Sequence, residues 1–233
     1  MNPVQHARSS AHHHGGTWKD YAPFHLFFDQ SKAAFPQVQH RIFLHTTDLG
    51  YELARRVHGD HIMNSEGKAV SVKVLMEQHM REDLGFRLVL DDWLNLLPEP
   101  SWYAGRERVR LSREIQAFIS EPEVAAAATW GGEADEYCPL TEFLDLGSRV
   151  SQNPLAPLVL NNSLGIFLAE QALGQAIETR CGRIVPLRLA AEKIVHARMR
   201  RIATPEQVAG GIRLVPWMHG ALVREANALW GDE

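Results

Sequence analysis

The chain has 233 residues, 45% of them hydrophobic and 22% charged, with a formal charge of −4. That is the balance of a globular protein, and it argues against bulk nucleic-acid binding, which needs a basic surface. The two cysteines, Cys138 and Cys181, cannot build a disulfide framework or a cysteine zinc motif. A reducing, cytoplasmic setting is therefore expected. No run approaches the roughly 20 apolar residues of a membrane helix, so no membrane partner is expected.

Residues 1–19 are polar and read as an irregular arm ending at Gly15-Gly16; they include His6 and the triplet His12-His13-His14. A helix is expected from Tyr21, with Phe24, Phe27, Phe28 and Ala34 inward, Pro23 in its first turn and Pro36 ending it. A longer helix is expected from Val38 to Val57, closed by Gly59. The stretch from His61 to Val72 alternates short β-prone arms around Asn64-Ser65-Glu66-Gly67 and reads as a hairpin. A helix through Val74, Leu75, His79 and Leu84 stops near Gly85, and a shorter one spans Leu88 to Leu97. Residues 106–139 read as a linker with one helix, Arg108 to Ile119, then a loop rich in alanine, glycine and acids over Ala125 to Tyr137.

The second half repeats the first. An offset of 115 residues carries Leu49-Gly50 onto Leu164-Gly165, Gly59 onto Gly174, Gly67 onto Gly182 and Trp102 onto Trp217. The expected fold class is mainly α: two similar helical units, each with a small β-hairpin, related by a pseudo-twofold axis. The divisions are 1–105, a linker at 106–139, and a diverged second copy at 140–233. A monomer with that internal symmetry or a homodimer fits the pattern.

Ten of the twelve histidines lie between His6 and His79, so any imidazole chemistry belongs to the first half. His25 and Asp29 are four apart, His45 and Asp48 three, His79 and Asp83 four. Such spacings place both members on one helix face, and carboxylate–histidine pairs facing inward from several helices are how bundles hold metals. The candidate metal ligands are His6, His25, Asp29, His40, His45, His79 and Asp83, with Asp83 or Asp48 as the group that orients or deprotonates a water. At the 115-residue offset the second copy carries Leu140, Leu144, Leu155, Leu160, Ile194 and Arg198 in place of six of them. A one-residue slip would instead bring Asp145 onto Asp29 and Asn161 onto His45. Glu77 recurs as Glu192 and reads as structural, a partner for a hairpin backbone group.

Imidazole and carboxylate without thiolate suit zinc, iron or manganese. The expected function is a metal-dependent hydrolase of a small or phosphorylated substrate. The alternatives are a non-haem iron oxygenase, or a non-catalytic binding or assembly protein with a structural metal or a buried polar histidine network. No Walker-A loop, G-x-G-x-x-G, H-E-x-x-H or G-x-S-x-G motif occurs.

The order Pro3-x-x-His6, Gly15-Gly16, His25-x-x-Phe28-Asp29-x-Ser31-Lys32, His40-Arg41, His45, Asn64-Ser65-x-Gly67, Glu77-Gln78-His79-x-x-Glu82-Asp83-x-Gly85 and Pro98-x-Pro100-x-Trp102 resembles a family of short bacterial and phage-encoded proteins of unknown function. The resemblance covers about residues 1–105 and implies a fold unit and a site, with no activity attached.

Overall fold

The computed structural model describes residues 2–104 and 112–219. The helix start expected at Arg108 lies outside the described residues. Helices dominate, joined by two antiparallel two-stranded hairpins. Among the described residues no helix is long and apolar enough to cross a membrane. The described residues form two compact units: one holds 2–96 and 212–219, the other 97–104 and 112–211.

In the first unit, α1 (Pro3–His14) replaces the expected irregular arm. Its start is fully capped: the Asn2 side chain accepts from Gln5 N, the Gln5 side chain accepts from Asn2 N, and Pro3 occupies the first helical position. Periodicity could not show this helix because its buried face is His6, Ala7 and Ser10 rather than an apolar stripe. The next helix, α2 (Trp18–Ala34), begins three residues earlier than expected, so Pro23 lies inside it. Asp20 Oδ2 caps its start, accepting from Thr17 N at 2.7 Å, and also accepts from Ser65 at the hairpin tip.

The long helix expected over Val38–Val57 is two elements. A 3-10 turn covers Val38–Ile42, and α3 runs Leu49–His58. The Thr46-Thr47-Asp48 break redirects the chain: Thr46 Oγ1 accepts from Gly50 N and the Asp48 carboxylate accepts from Leu49 N and Leu90 N. Strands β1 (His61–Met63) and β2 (Ala69–Ser71) pair as expected, Ile62 opposite Val70. Helix α4 (Val72–Leu84) follows directly and ends at Gly85 in the left-handed conformation. Helix α5 (Leu90–Leu94) is shorter than expected. Phe24, Phe28, Ile42, Phe43, Leu44, Leu49, Leu75, Met76, Met80 and Trp93 form the core.

The second unit repeats this order. After α6 (Arg113–Ser120), α7 (Pro122–Trp130) occupies the stretch expected to be a loop, followed by a 3-10 turn at Ala134–Glu136. Then come α8 (Cys138–Leu144), α9 (Leu146–Val150), α10 (Ser163–Leu173), β3 (Ala176–Glu178), β4 (Ile184–Pro186), α11 (Leu187–Met199) and α12 (Pro205–Ala209). Shared details fix the correspondence. Tyr21 Oη donates to Gly15 O at 2.9 Å, and Tyr137 Oη donates to Gly131 O at 2.8 Å, an offset of 116. Gly50 packs on the Leu44 carbonyl and Gly165 on the Leu160 carbonyl, so the offset falls to 115 between those points. The slip is real. The second-copy counterparts are Thr141 for His25, Asp145 for Asp29, Ala156 for His40 and Asn161 for His45, not the four leucines of an unbroken offset; Ile194 and Arg198 still match His79 and Asp83.

Each repeat's tail belongs to the other unit. Trp217, in the 3-10 turn Pro216–His219, packs edge-on against Trp93 at 4.9 Å and Phe86 at 6.0 Å in the first unit. Its counterpart Trp102 lies in the second unit beneath the Arg201 guanidinium, 5.1 Å from the ring centre. There Tyr103 Oη also donates to Pro154 O.

A Cβ at Gly50 or Gly165 would overlap a backbone oxygen, which no rotamer change relieves. Gly50→Ala and Gly165→Ala should each cost on the order of 2 kcal/mol in urea unfolding.

A candidate metal centre in the first unit

Four side chains from three elements converge in the first-unit core. Asp29 comes from α2, His45 from the turn after the 3-10 segment, and His79 and Asp83 from successive turns of α4. Their ligand atoms all lie within 4.8 Å of one another. The helical spacing of His79 and Asp83 puts both on the inward face. His45 reaches them because the Thr46–Asp48 break ends the preceding turn at that point.

The tightest group is a triangle. His45 Nε2 lies 3.1 Å from His79 Nε2 and 3.4 Å from Asp83 Oδ2, and His79 Nε2 lies 3.8 Å from Asp83 Oδ2. A point equidistant from atoms so spaced lies about 2.0 Å from each, the length of a zinc–imidazole or zinc–carboxylate bond. His45, His79 and Asp83 are buried and Asp29 is half-buried, with its Oδ2 atom unpartnered.

The charges suit a cation. Burial keeps His45 and His79 below the ordinary histidine range and so neutral, the form that ligates. Burial also pushes the Asp29 carboxyl up. Against the push of burial, hydrogen bonds from His45 and His6 hold Asp83 well below the usual carboxylate range.

The other sequence candidates take different places. His6 bridges two carboxylates, Nε2 to Asp83 Oδ1 at 3.0 Å and Nδ1 to Glu82 Oε2 at 2.5 Å. Those bonds outweigh burial and raise its pKa, so His6 is an imidazolium with no lone pair for an ion. His25 Nδ1 lies 2.9 Å from His79 Nδ1 and its Nε2 lies 2.8 Å from Ser10 Oγ. His40 Nδ1 meets Ser31 Oγ at 2.8 Å, and its ring is edge-on to that of His45. Burial, above all, takes His25 down to about 3 and His40 down to about 2. Asp48 is outside the cluster because its carboxylate is spent on backbone N–H groups. Glu77 meets the Arg87 side chain at 2.9 Å rather than the hairpin backbone.

Sequence reading missed Glu82, Ser9, Ser10, Gln78 and Arg41. If His79 ligates through Nε2, donor roles run one way: His79 Nδ1–H to His25, His25 Nε2–H to Ser10, Ser10 O–H to Gln78 Oε1, and Gln78 Nε2–H to Glu82 Oε1. Glu82 also accepts from Ser9 and His6, and His6 donates to Asp83. The bonds close a circuit from one ligand to another. It surfaces at Gln78 and Glu82, which line a cavity of about 340 Å³ with His13, His14, Val74 and Arg81. The Asn2-Pro3-x-Gln5 cap was the one sequence signal that α1 could deliver His6, Ser9 and Ser10 to this place.

The second unit holds no such cluster among the described residues. At the matching place the Arg198 guanidinium grips Asp145, Nη1 to Oδ1 at 2.8 Å and Nη2 to Oδ2 at 3.1 Å, with Asn161 Oδ1 at 3.4 Å from Nη1. A side-chain cation stands where the first unit gathers carboxylates and imidazoles.

A family model described as a domain of unknown function, DUF6915, matches residues 1–103 and again 122–218. No curated protein and no solved structure matches the chain.

The buried neutral histidines set an acid limit. A histidine whose folded pKa is depressed contributes stability that is present above its unfolded value near 6.5 and is lost as pH falls. His25, His40, His45 and His79 act this way. His6, with its raised pKa, opposes them, since its contribution is present at low pH and lost as pH rises through the folded value. Urea unfolding of metal-free protein should show stability falling between pH 6.5 and about 4, by up to ~1.4 kcal/mol per pH unit for each depressed histidine. A flat profile would show that the four are not held neutral.

Proposed function

The chain belongs to the DUF6915 family, whose function is unknown, and from the site it carries we propose that the protein is a metal-dependent hydrolase acting on a small or phosphorylated substrate. His45, His79 and Asp83 hold a divalent transition ion, with Asp29 as the fourth ligand or the base beside it. The observation that carries this reading is the convergence of two neutral imidazoles and two carboxylates on one buried point. The guanidinium in the second unit supports it: the copy without the ligands has a side-chain cation at the matching place.

Two nitrogen and two oxygen donors without thiolate favour zinc, iron or manganese; both cysteines lie in the second unit. Such an ion supplies Lewis acidity that makes water acidic near neutral pH. The chain's own residues would do the rest. Asp29 has an oxygen without a hydrogen-bond partner beside the other three, so it is placed to take a proton. His25, through Ser10, fixes the tautomer and ring plane of His79, as partners of metal-binding histidines do. The His6 imidazolium and the Arg41 guanidinium anchor Asp83 from two sides.

A non-haem iron oxygenase is the second reading, favoured by the triangle itself, which is a two-histidine, one-carboxylate set. A purely structural clip is the reading from another class.

Elemental analysis of untagged protein tests all three. Wild type should contain close to one equivalent of metal per chain, and His79→Ala and Asp83→Ala less than a tenth of that. Asp29→Asn should retain metal more nearly than either and lose hydrolysis of model phosphoesters by on the order of a hundredfold. Iron with substrate-dependent oxygen uptake would favour the second reading. Unfolding of the first unit on chelation, with no activity in the loaded protein, would favour the clip. Wild type that takes up no metal after reconstitution refutes every metal reading.

A further inference from the structure

The first unit's candidate metal ligands come from the first repeat, but the tail of the second repeat reaches one of them through Arg41. Arg41 Nη2 donates to Asp83 Oδ2, the ligand oxygen facing His45 and His79, at 3.2 Å. Arg41 Nη1 donates to the backbone oxygen of Met218 at 3.0 Å. Met218 follows Trp217, whose ring is fixed against Trp93 and Phe86, and Met218 itself is fully buried. Gln39, two residues before Arg41, donates to Ile212 O at 3.4 Å. Residues 212–218 thus brace the 3-10 turn that carries Arg41.

We propose that this tail segment, the end of the copy without the ligand set, tunes the metal centre by pinning the Arg41 guanidinium against Asp83; the proposal rests on the metal reading of the site. Arg41 is a positioning residue. The guanidinium draws on the same carboxylate oxygen that the ion uses, and a fixed positive charge a few ångströms away repels a dication in a poorly screened interior. Arg41 therefore weakens metal binding, and it leaves the bound ion with a poorer donor and so a stronger Lewis acid. Unpinned, the side chain is free to turn to solvent, where it would no longer act on the ion. The other tail offers a matched comparison: Trp102 holds the same repeat position in the second unit, which lacks the ligands.

Co2+ titration of the metal-free full-length protein, read by visible absorption, is the test. Arg41→Ala should bind Co2+ at least tenfold more tightly than wild type, with displaced d–d bands. Arg41→Lys, which keeps the charge, should return most of the way to wild type. Trp217→Ala should move affinity and bands in the same direction as Arg41→Ala, and the double variant should go no further than Arg41→Ala alone. Trp102→Ala should leave both readouts unchanged. If Trp217→Ala fails to fold by circular dichroism, Trp217→Leu takes its place, and the non-additivity with Arg41→Ala decides. Wild-type affinity and spectrum in Arg41→Ala or in the folded Trp217 variant, or additive effects in the double variant, would overturn this proposal alone. Absence of Co2+ binding by wild type would overturn the metal reading and this proposal with it.

Discussion

Two carboxylates meeting inside an apolar core are the constraint on which the first unit turns. Asp29 and Asp83 come from different helices and share one small volume with His45 and His79. Removing such charges from water costs several kcal/mol each unless cations or hydrogen bonds compensate. The protein compensates Asp83 with the His6 imidazolium on one oxygen and Arg41 on the other. Asp29 gets no such partner: burial raises its carboxyl and one oxygen stays bare. A divalent ion held by the cluster would compensate Asp29 as well. The second unit shows the alternative answer, one carboxylate with its own arginine across it.

From that constraint follows the placement of the first helix. α1 has little apolar surface to bury; it packs mainly along α2, and its polar side chains bond to both α2 and α4. His6 and Ser9 bind Glu82, Ser10 binds His25 and Gln78, and Gly15 O is tied to Tyr21. A polar inward face specifies position more narrowly than an apolar stripe, because each donor must find its acceptor. It also ties the order of α1 to the charge state of the centre, since His6 stays an imidazolium only while Glu82 and Asp83 are ionised. The circuit of bonds therefore joins local structure, ligand orientation and a surface cavity in one arrangement.

Much of this was legible beforehand, for reasons that differ by element. The hairpins and α4 were readable because turn glycines and helical spacing act locally, and His79 with Asp83 came out as a pair by spacing alone. The duplication was readable from turn glycines; the one-residue slip was in view at Asp145 and Asn161, and the fold extends it to Thr141 and Ala156. Spacing misled at Asp48, three residues after His45, because the chain breaks there and the carboxylate caps α3 instead. It misled at His25 too: it shares α2 with Asp29 yet stands behind His79. Spacing tells which residues share a face, not which of them points at a common centre. α1 went unseen because periodicity detects apolar burial and its buried face is polar. Arg41 and Glu82 stand in the motif order yet drew no role in the site, because charged residues carry a strong prior for the surface and only the fold shows where their partners lie.

The second copy lacks the ligand set, yet its tail lies in the unit that carries it. Duplication relaxes a sequence wherever one copy suffices for the chemistry, and the replacement of His79 by Ile194 and of Asp83 by Arg198 fits that relaxation. Its tail is under a different demand, because Trp217 and Met218 complete the unit that kept the ligands. Trp102 and Trp217 hold the same repeat position but face unlike neighbours: an arginine in one unit, and a tryptophan and a phenylalanine in the other. The exchange of tails thus divides the chain by structural role rather than by repeat. The last described turn of the second copy is tied to Arg41, and through Arg41 to Asp83.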